Sequence, residues 1–328
     1  MINGNDSYNN KYSNKIERLL IENKDKNYLR NFVNFLGSKL SISTKYDYLF
    51  YVITFINYIK KEPKDLLLDD YTDFLSTLTN HVPSYQISVY SGIKKFSNYL
   101  FISGKTEKDY MQYISRPDPT EKQTTIEKRE KGYLTKKEIH KLINSVENGY
   151  GSNKAIAKQH EWKSRDLLII LLMLNTGMRC SAIYKIDINN IDLDNCIIKV
   201  TEKRGKVQEY LFPELLKKYI YSWLNKRKEL LENSDEVALF VSNQKRRMDQ
   251  ASIYRVVKKY SSVIENKNIS PHKLRATYGT QLYEKTKDVY FVQSCMGHSN
   301  PKTTELYIRG QKDNNRKQAS VIMSDIIF

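Results

Sequence analysis

The sequence predicts a mainly α-helical protein with one small antiparallel β-sheet, divided into a helical N-terminal domain and an α+β C-terminal domain. Three observations carry this prediction. Apolar residues recur at helical spacing through most of the chain. Only between residues 188 and 212 do they change to short runs with the composition of strands. Residues 116–132 (RPDPTEKQTTIEKREKG) combine prolines and charges with almost no apolar side chains, so they read as a linker. A chain of 328 residues is long enough for a separate core on each side of it.

Residues 1–12 are Asn-rich and are expected to be mobile. The helical domain is placed at 13–115. From Lys15 to Lys39, Ile16, Leu19, Leu20, Leu29, Phe32, Val33, Phe35 and Leu36 keep helical spacing, with Gly37 near the stop. Ser43 or Thr44 can cap a second helix running to Lys60. A shorter helix is expected over Asp69–Leu78, and Pro83-Ser84 opens a fourth that ends near Gly104. Lys45, Lys60, Lys61, Lys94 and Lys95 interleave with aromatic residues. They form either a solvated surface or a basic face that lies on nucleic-acid phosphates.

The second domain is placed at 133–318, with an apolar tail at 319–328 (ASVIMSDIIF). Thr135 and Glu138 make a capping box ahead of Ile139, Leu142, Ile143 and Val146. Residues 149–158 read as a polar loop. The run Leu167–Leu174 is too short to span a membrane and reads as a buried helix, turned at its end by an αL Gly177. Strands are expected at Ile188–Leu193, Ile197–Thr201 and Gln208–Phe212. Pro213 then starts a helix bearing Leu216, Ile220 and Trp223. Ser252–Ile264 is a basic amphipathic helix with Arg255, Lys258 and Lys259. Ser270-Pro271 and Asn300-Pro301 start two more.

The net charge of +17 points to a polyanionic partner, most simply nucleic acid. Cys180, Cys196 and Cys295 are far apart and form no Cys-x-x-Cys, so a zinc site or disulfide framework is not expected. They fit a reducing cytosol. The polar N-terminus lacks a signal-peptide core, and the expected location is the cytoplasm, in association with the nucleoid. Asp192 and Asp194 sit in a turn without matching ligands, so no metal is expected, and no nucleotide-binding glycine loop is present.

The chemistry-bearing residues concentrate late in the chain. His272 and Arg275, three apart on a helix, are neighbours on one face, and Gly279 lies one turn on. A guanidinium can fork onto two phosphate oxygens, and an imidazole beside it can move a proton near neutral pH. Arg179 follows the glycine turn of a buried helix, which fixes its position. Lys203 and its rival Lys206 lie in the turn between two strands. Tyr307 is one of 25 tyrosines; a phenol becomes a nucleophile only where cations stabilise its charge.

Together these segments resemble the tyrosine recombinases of the phage-integrase and Xer type. Leu174-Asn-Thr-Gly-Met-Arg179-Cys-Ser-Ala-Ile183 is similar to that family's first arginine box. His272-Lys-Leu-Arg275-Ala-Thr-Tyr is similar to the second, and Gly297-His298-Ser299 through Tyr307 to the third. The resemblance implies a SAM-like core-binding domain followed by the catalytic domain. It implies a site-specific recombinase working through a 3′-phosphotyrosyl intermediate, without cofactor. Tyr307 would attack the phosphate, Arg179 and Arg275 would clamp its oxygens, and Lys203 would protonate the leaving 5′-oxygen. His272 would act as general acid and base, and His298 would hydrogen-bond the phosphate. The implied partners are double-stranded recombination sites and a homotetramer on DNA, tied by the tail 319–328. An accessory directionality protein is a further candidate partner. No arm-binding module is expected before the helical domain. One departure stands out: the family's acidic residue three positions after the first arginine is Ala182 here. The competing expectations are a type IB topoisomerase-like enzyme and a non-catalytic DNA-binding protein of the same fold.

Overall fold

The computed structural model describes residues 4–118, 132–202, 205–232 and 234–297, with side chains from residue 10 onward. Most of the expected linker, Lys203, His298, Tyr307 and the tail 319–328 therefore lie outside the described residues. The chain divides into two compact units, Met1–Lys122 and Gln123–Phe328. It is mostly helical with one three-stranded antiparallel sheet.

The first unit holds α1 (Gly4–Glu22), α2 (Asn27–Phe35), α3 (Ile42–Ile59), α4 (Leu68–Ser76) and α5 (Pro83–Ile102). Leu29, Phe32, Leu49, Val52, Phe55, Ile93, Phe96 and Leu100 are its fully buried centre. Three expectations change here. The Asn-rich start, for which no helix was expected before Lys15, is helical from Gly4. Tyr12 packs edge-on against Tyr46 at 5.7 Å with Lys15 over both rings, and once a helix is anchored each further residue adds a backbone bond. The helix expected over Lys15–Lys39 is two helices. Asn23 Nδ2 donates to the Leu19 carbonyl at 3.0 Å and closes the first, before the chain restarts at Asn27. The cap of α3 is Ser41, whose Oγ accepts from Thr44 N at 3.2 Å. Alongside α5 a groove of 660 Å³ is lined by residues that include Tyr48, Tyr90, Lys94, Lys95, Asn98 and Arg116.

The second unit holds α6 (Lys136–Glu147), α7 (Asn153–Glu161), α8 (Lys163–Thr176), α9 (Cys180–Ile183), β1 (Ile191–Asp192), β2 (Ile197–Thr201), β3 (Val207–Leu211), α10 (Lys217–Leu230), α11 (Gln250–Ser261), α12 (Pro271–Thr286) and α13 (Val289–Met296). Its centre is α8, buried from Arg165 to Met173 and packed by α6, α10, α11 and α12. The capping box forms: Thr135 N donates to Glu138 Oε2 at 2.8 Å and Glu138 N to Thr135 Oγ1 at 3.3 Å. In the sheet, β2 pairs with β1 and β3, with Ile198 opposite Tyr210 and Val200 opposite Gln208.

Beside α8 lies a closed ionic knot. Asp166 Oδ1 accepts from Arg165 Nε and Nη2 at 2.9 and 2.7 Å. Its Oδ2 accepts from Lys259 Nζ at 2.7 Å and Tyr260 OH at 3.0 Å. The Arg165 guanidinium stacks on Trp162 at 4.3 Å.

Here too some expectations change. The polar loop at 149–158 contains the start of α7, because Ser152 caps it and Gln159 binds both backbone groups of Tyr150. The first strand shrinks to two residues, since Ile188–Asn190 forms a 3₁₀ turn in which Asn190 Oδ1 accepts from Asp187 N at 2.9 Å. Ser270 makes no side-chain cap; Pro271 alone marks the start of α12. Asp192 carries no metal-site partner among the described residues but holds its turn through Asn195 N and Nδ2. Among the described residues no helix is long and apolar enough to cross a membrane.

Candidate functional site

The site is built where three chain reversals meet. The first is Gly177, which ends α8 in the left-handed region at φ +62. A side chain there would also strike Tyr278, whose Cδ1 lies 2.4 Å from the position a Cβ would take. The turn buries Met178 and delivers Arg179 in extended conformation as the N-cap of α9. The second reversal is Gly297, which ends α13 at φ +61. The third is the hairpin between β2 and β3, closed by Glu202 N donating to the Lys206 carbonyl at 2.8 Å.

Arg275, 3 % exposed in the second turn of α12, joins the first two reversals. Its Nη1 donates to the Gly177 carbonyl and its Nη2 to the Met296 carbonyl at 2.5 Å. Both acceptors end helices, where the macrodipole favours a cation. Gly279, on the same helix, allows close approach of α13: a Cβ there would lie 2.6 Å from Met296 Sδ. The neighbour that uses this space is the Met296 side chain.

Arg179 joins the second reversal to the third. Its Nη2 donates to the Gly297 carbonyl at 3.4 Å, and its Nη1 donates to Glu202 Oε2 at 2.7 Å. The other carboxylate oxygen, Oε1, accepts from Tyr210 OH at 2.5 Å. Burial pushes the Glu202 carboxyl up, but the Tyr210 hydroxyl, the hydrogen-bonded Arg179 guanidinium and the Arg275 charge outweigh it and hold it below its ordinary range. Burial, and then the same carboxylate, push the Tyr210 phenol well above its ordinary value.

Of the residues singled out in the sequence, Arg179 and Arg275 are thus brought onto one frame. His272 is exposed one turn before Arg275 on the same helix. Lys206 is exposed at the hairpin end. Lys203, His298 and Tyr307 lie outside the described residues. Glu202 and Tyr210 were not singled out. A signal for Glu202 does exist: strand alternation places it on the face of Ile198 and Val200, both buried, so it is a charge on an inward position.

The model of the phage integrase family matches residues 132–314. Among curated proteins, the chain is similar to Tyrosine recombinase XerS of Streptococcus thermophilus (strain CNRZ 1066), 33 % identical over 186 residues, 55 % of this chain and 52 % of that one. It is also similar to Tyrosine recombinase XerS of Streptococcus agalactiae serotype III (strain NEM316), 35 % identical over 170 residues, 50 % of this chain and 47 % of that one. The matched part spans about half the length of these relatives. Among solved structures, the XerH site-specific recombinase bound to palindromic difH substrate in a post-cleavage complex superposes with a TM-score of 0.68 at 21 % identity, covering 86 % of this chain and 81 % of that one. The lambda integrase (75-356) dimer bound to a COC′ core site superposes at 0.63 with 15 % identity, covering 86 % and 94 %. At these identities the structural likeness speaks for the fold.

Proposed function

This chain belongs to the phage integrase family, and on that premise we propose that it is a site-specific DNA recombinase cleaving and rejoining DNA through a 3′-phosphotyrosyl bond. The observation that supports this most is the frame on which Arg179 and Arg275, ninety-six positions apart in sequence, come together at two glycine turns. Paired guanidiniums held by helix ends suit the non-bridging oxygens of a phosphodiester.

In this reading Tyr307 attacks the scissile phosphate and the two arginines stabilise the charge that develops. His272, exposed at the head of α12, serves as general acid and base toward the tyrosine. Lys203 protonates the leaving 5′-oxygen, and His298 hydrogen-bonds the phosphate. A 5′-hydroxyl from the partner strand then displaces the tyrosine, so one phosphate ester replaces another without an energy source. The first unit serves as the core-binding domain. Its groove with Lys94, Lys95 and Arg116 is suited to backbone phosphates. The working assembly is a tetramer on two double-stranded sites, linked by residues 319–328, for integration and excision of a mobile element or for resolution of chromosome or plasmid multimers. An accessory directionality protein is a further candidate partner.

Nicked suicide duplexes carrying candidate sites from DNA flanking the gene test the proposal. The wild-type chain should accumulate a denaturation-resistant protein–DNA adduct, and Tyr307→Phe should form none while still retarding the same duplex. A chain lacking residues 319–328 should cleave but fail to synapse. No adduct from the wild type on any site would leave a DNA-binding protein of this fold.

A further inference from the structure

We propose that Glu202, anchored by Tyr210, is the residue that positions Arg179, supplying from the hairpin the carboxylate that position 182 lacks. This rests on the recombinase reading for its consequence but not for its geometry.

Arg179 is the N-cap of α9, and Ala182 is the third residue of that helix. In a capping box an acidic side chain at that position takes the backbone N–H of the cap residue, which brings a carboxylate beside Arg179. Ala182 is 1 % exposed and has no polar atom to offer. The Arg179 side chain would then have only the Gly297 carbonyl, at 3.4 Å, among the described residues. Glu202 fills the need from another element, at 2.7 Å.

The bland alternative is an incidental ion pair on a hairpin. The same hairpin supplies the control. Lys199 and Glu209 are directly opposed and form a 3.0 Å pair, but both side chains are about half exposed, at 53 % and 51 %. Such pairs are held by little and contribute little. Glu202 differs in three ways. Its side chain is 19 % exposed. Its two oxygens have different partners, so the bond from Tyr210 to Oε1 leaves Oε2 aimed at Arg179. The anchor, Tyr210, is itself 3 % exposed and sits in the sheet opposite Ile198. A fixed phenol, a fixed carboxylate and a guanidinium form a relay from the core to the site. Arg179 keeps 38 % of its side chain exposed, so the relay holds one edge and leaves surface for a ligand oxygen. The Glu202 backbone closes the hairpin as well, and Lys203 follows it directly in sequence.

The test compares wild type, Glu202→Gln and Tyr210→Phe as full-length chains. Single-turnover adduct formation on a suicide duplex is read beside duplex affinity and melting temperature. Glu202→Gln should slow adduct formation about 10- to 100-fold while affinity stays within about 3-fold, because a misplaced catalytic group affects the chemical step more than binding. Tyr210→Phe, which keeps the carboxylate but frees it, should slow it by about 3- to 10-fold on the same grounds. A wild-type rate in Glu202→Gln overturns the proposal. So does a loss of rate matched by equal losses of affinity and melting temperature, which marks a structural role. If Glu202→Gln does not fold, Tyr210→Phe decides in the same way. The Nε–Hε NMR signal of Arg179 gives a readout independent of catalysis: it should report a more mobile guanidinium in both variants, and an unchanged signal overturns the proposal. Failure of the wild type to form any adduct would instead sink the recombinase reading.

Discussion

Two carboxylates in the second unit are ringed by donors, and they are built for opposite ends. Asp166 is shut: its side chain is 0 % exposed and that of Arg165 is 6 % exposed. Arg165 spends its remaining capacity on the Val241 carbonyl at 2.9 Å and on the face of Trp162. The knot ties α8 to α11 and to the segment at Val241. Glu202 is open: its arginine keeps more than a third of its side chain at the surface. The same pairing of charges therefore makes a joint in one place and a tool in the other. What separates them is whether the protein consumes the guanidinium's donors or leaves some facing outward. Burial and partner inventory, not the presence of an ion pair, distinguish the two.

The largest expected effect falls on the shut cluster. Asp166→Ala removes both acceptor oxygens and leaves Arg165, Lys259 and Tyr260 facing each other beside the core. Breaking a buried pair from one side costs about 3–5 kcal/mol, because the remaining charge stays buried without compensation. Urea unfolding of the full chain should show this loss. Glu202→Gln should lower stability by only about 1 kcal/mol, the size of one hydrogen-bond rearrangement. Equal losses in the two variants would break the distinction between joint and tool.

The glycine turns hold the open cluster. Gly177→Ala meets two penalties at once, a positive φ and the Tyr278 ring at 2.4 Å. Together these should cost about 1–3 kcal/mol. They should also displace the carbonyl that Arg275 uses, so adduct formation should fall further than stability alone explains. Gly205 is the control: it has φ +73 but, among the described residues, nothing within 4 Å of a Cβ, so Gly205→Ala carries the backbone penalty alone, about 1 kcal/mol. Equal destabilisation by the two substitutions would show that the Tyr278 contact relaxes freely.

The sequence made one of these clusters partly visible and hid the other. Arg179 and Arg275 could be found because each belongs to a local pattern: a glycine turn after a buried helix, and a proline-started helix face. Gly177 as an αL residue was legible for the same reason, and so were the capping box and the two longer strands. Glu202 was hidden because its meaning depends on a residue eight positions away across a hairpin and on an arginine in another element. Strand periodicity alone marks it as inward-facing; its partners are a matter of tertiary packing. Asp166 was hidden more deeply, since Lys259 and Tyr260 reach it from a helix more than ninety residues on. The part of the N-terminal helix ahead of Lys15 was missed because Asn and Gly have low helix propensity, while its anchor is a contact with Tyr46 that no local pattern shows.

The smallest expected effect is a pH dependence, and it isolates the open cluster. Glu202 and Glu138 are both held below the ordinary carboxyl value of 4.5. At Glu138, burial works upward, and the hydrogen bonds from Lys267 and Thr135 outweigh it. A carboxyl depressed in the folded chain binds fewer protons there than when unfolded. Its stabilisation is therefore complete above the unfolded value and is lost as pH falls below 4.5 through the depressed folded value. Urea midpoints should be flat with respect to these two groups above that point and should decline below it. Glu202→Gln removes one of the two groups, so its decline should be shallower than that of the wild type, while Thr135→Ala should reduce the Glu138 part only slightly, because the Lys267 ammonium and the backbone N–H of residue 135 remain. An acid slope unchanged by Glu202→Gln would mean that the carboxylate is not held by Tyr210 and Arg179 in solution, and the open cluster would then be no more organised than a surface pair.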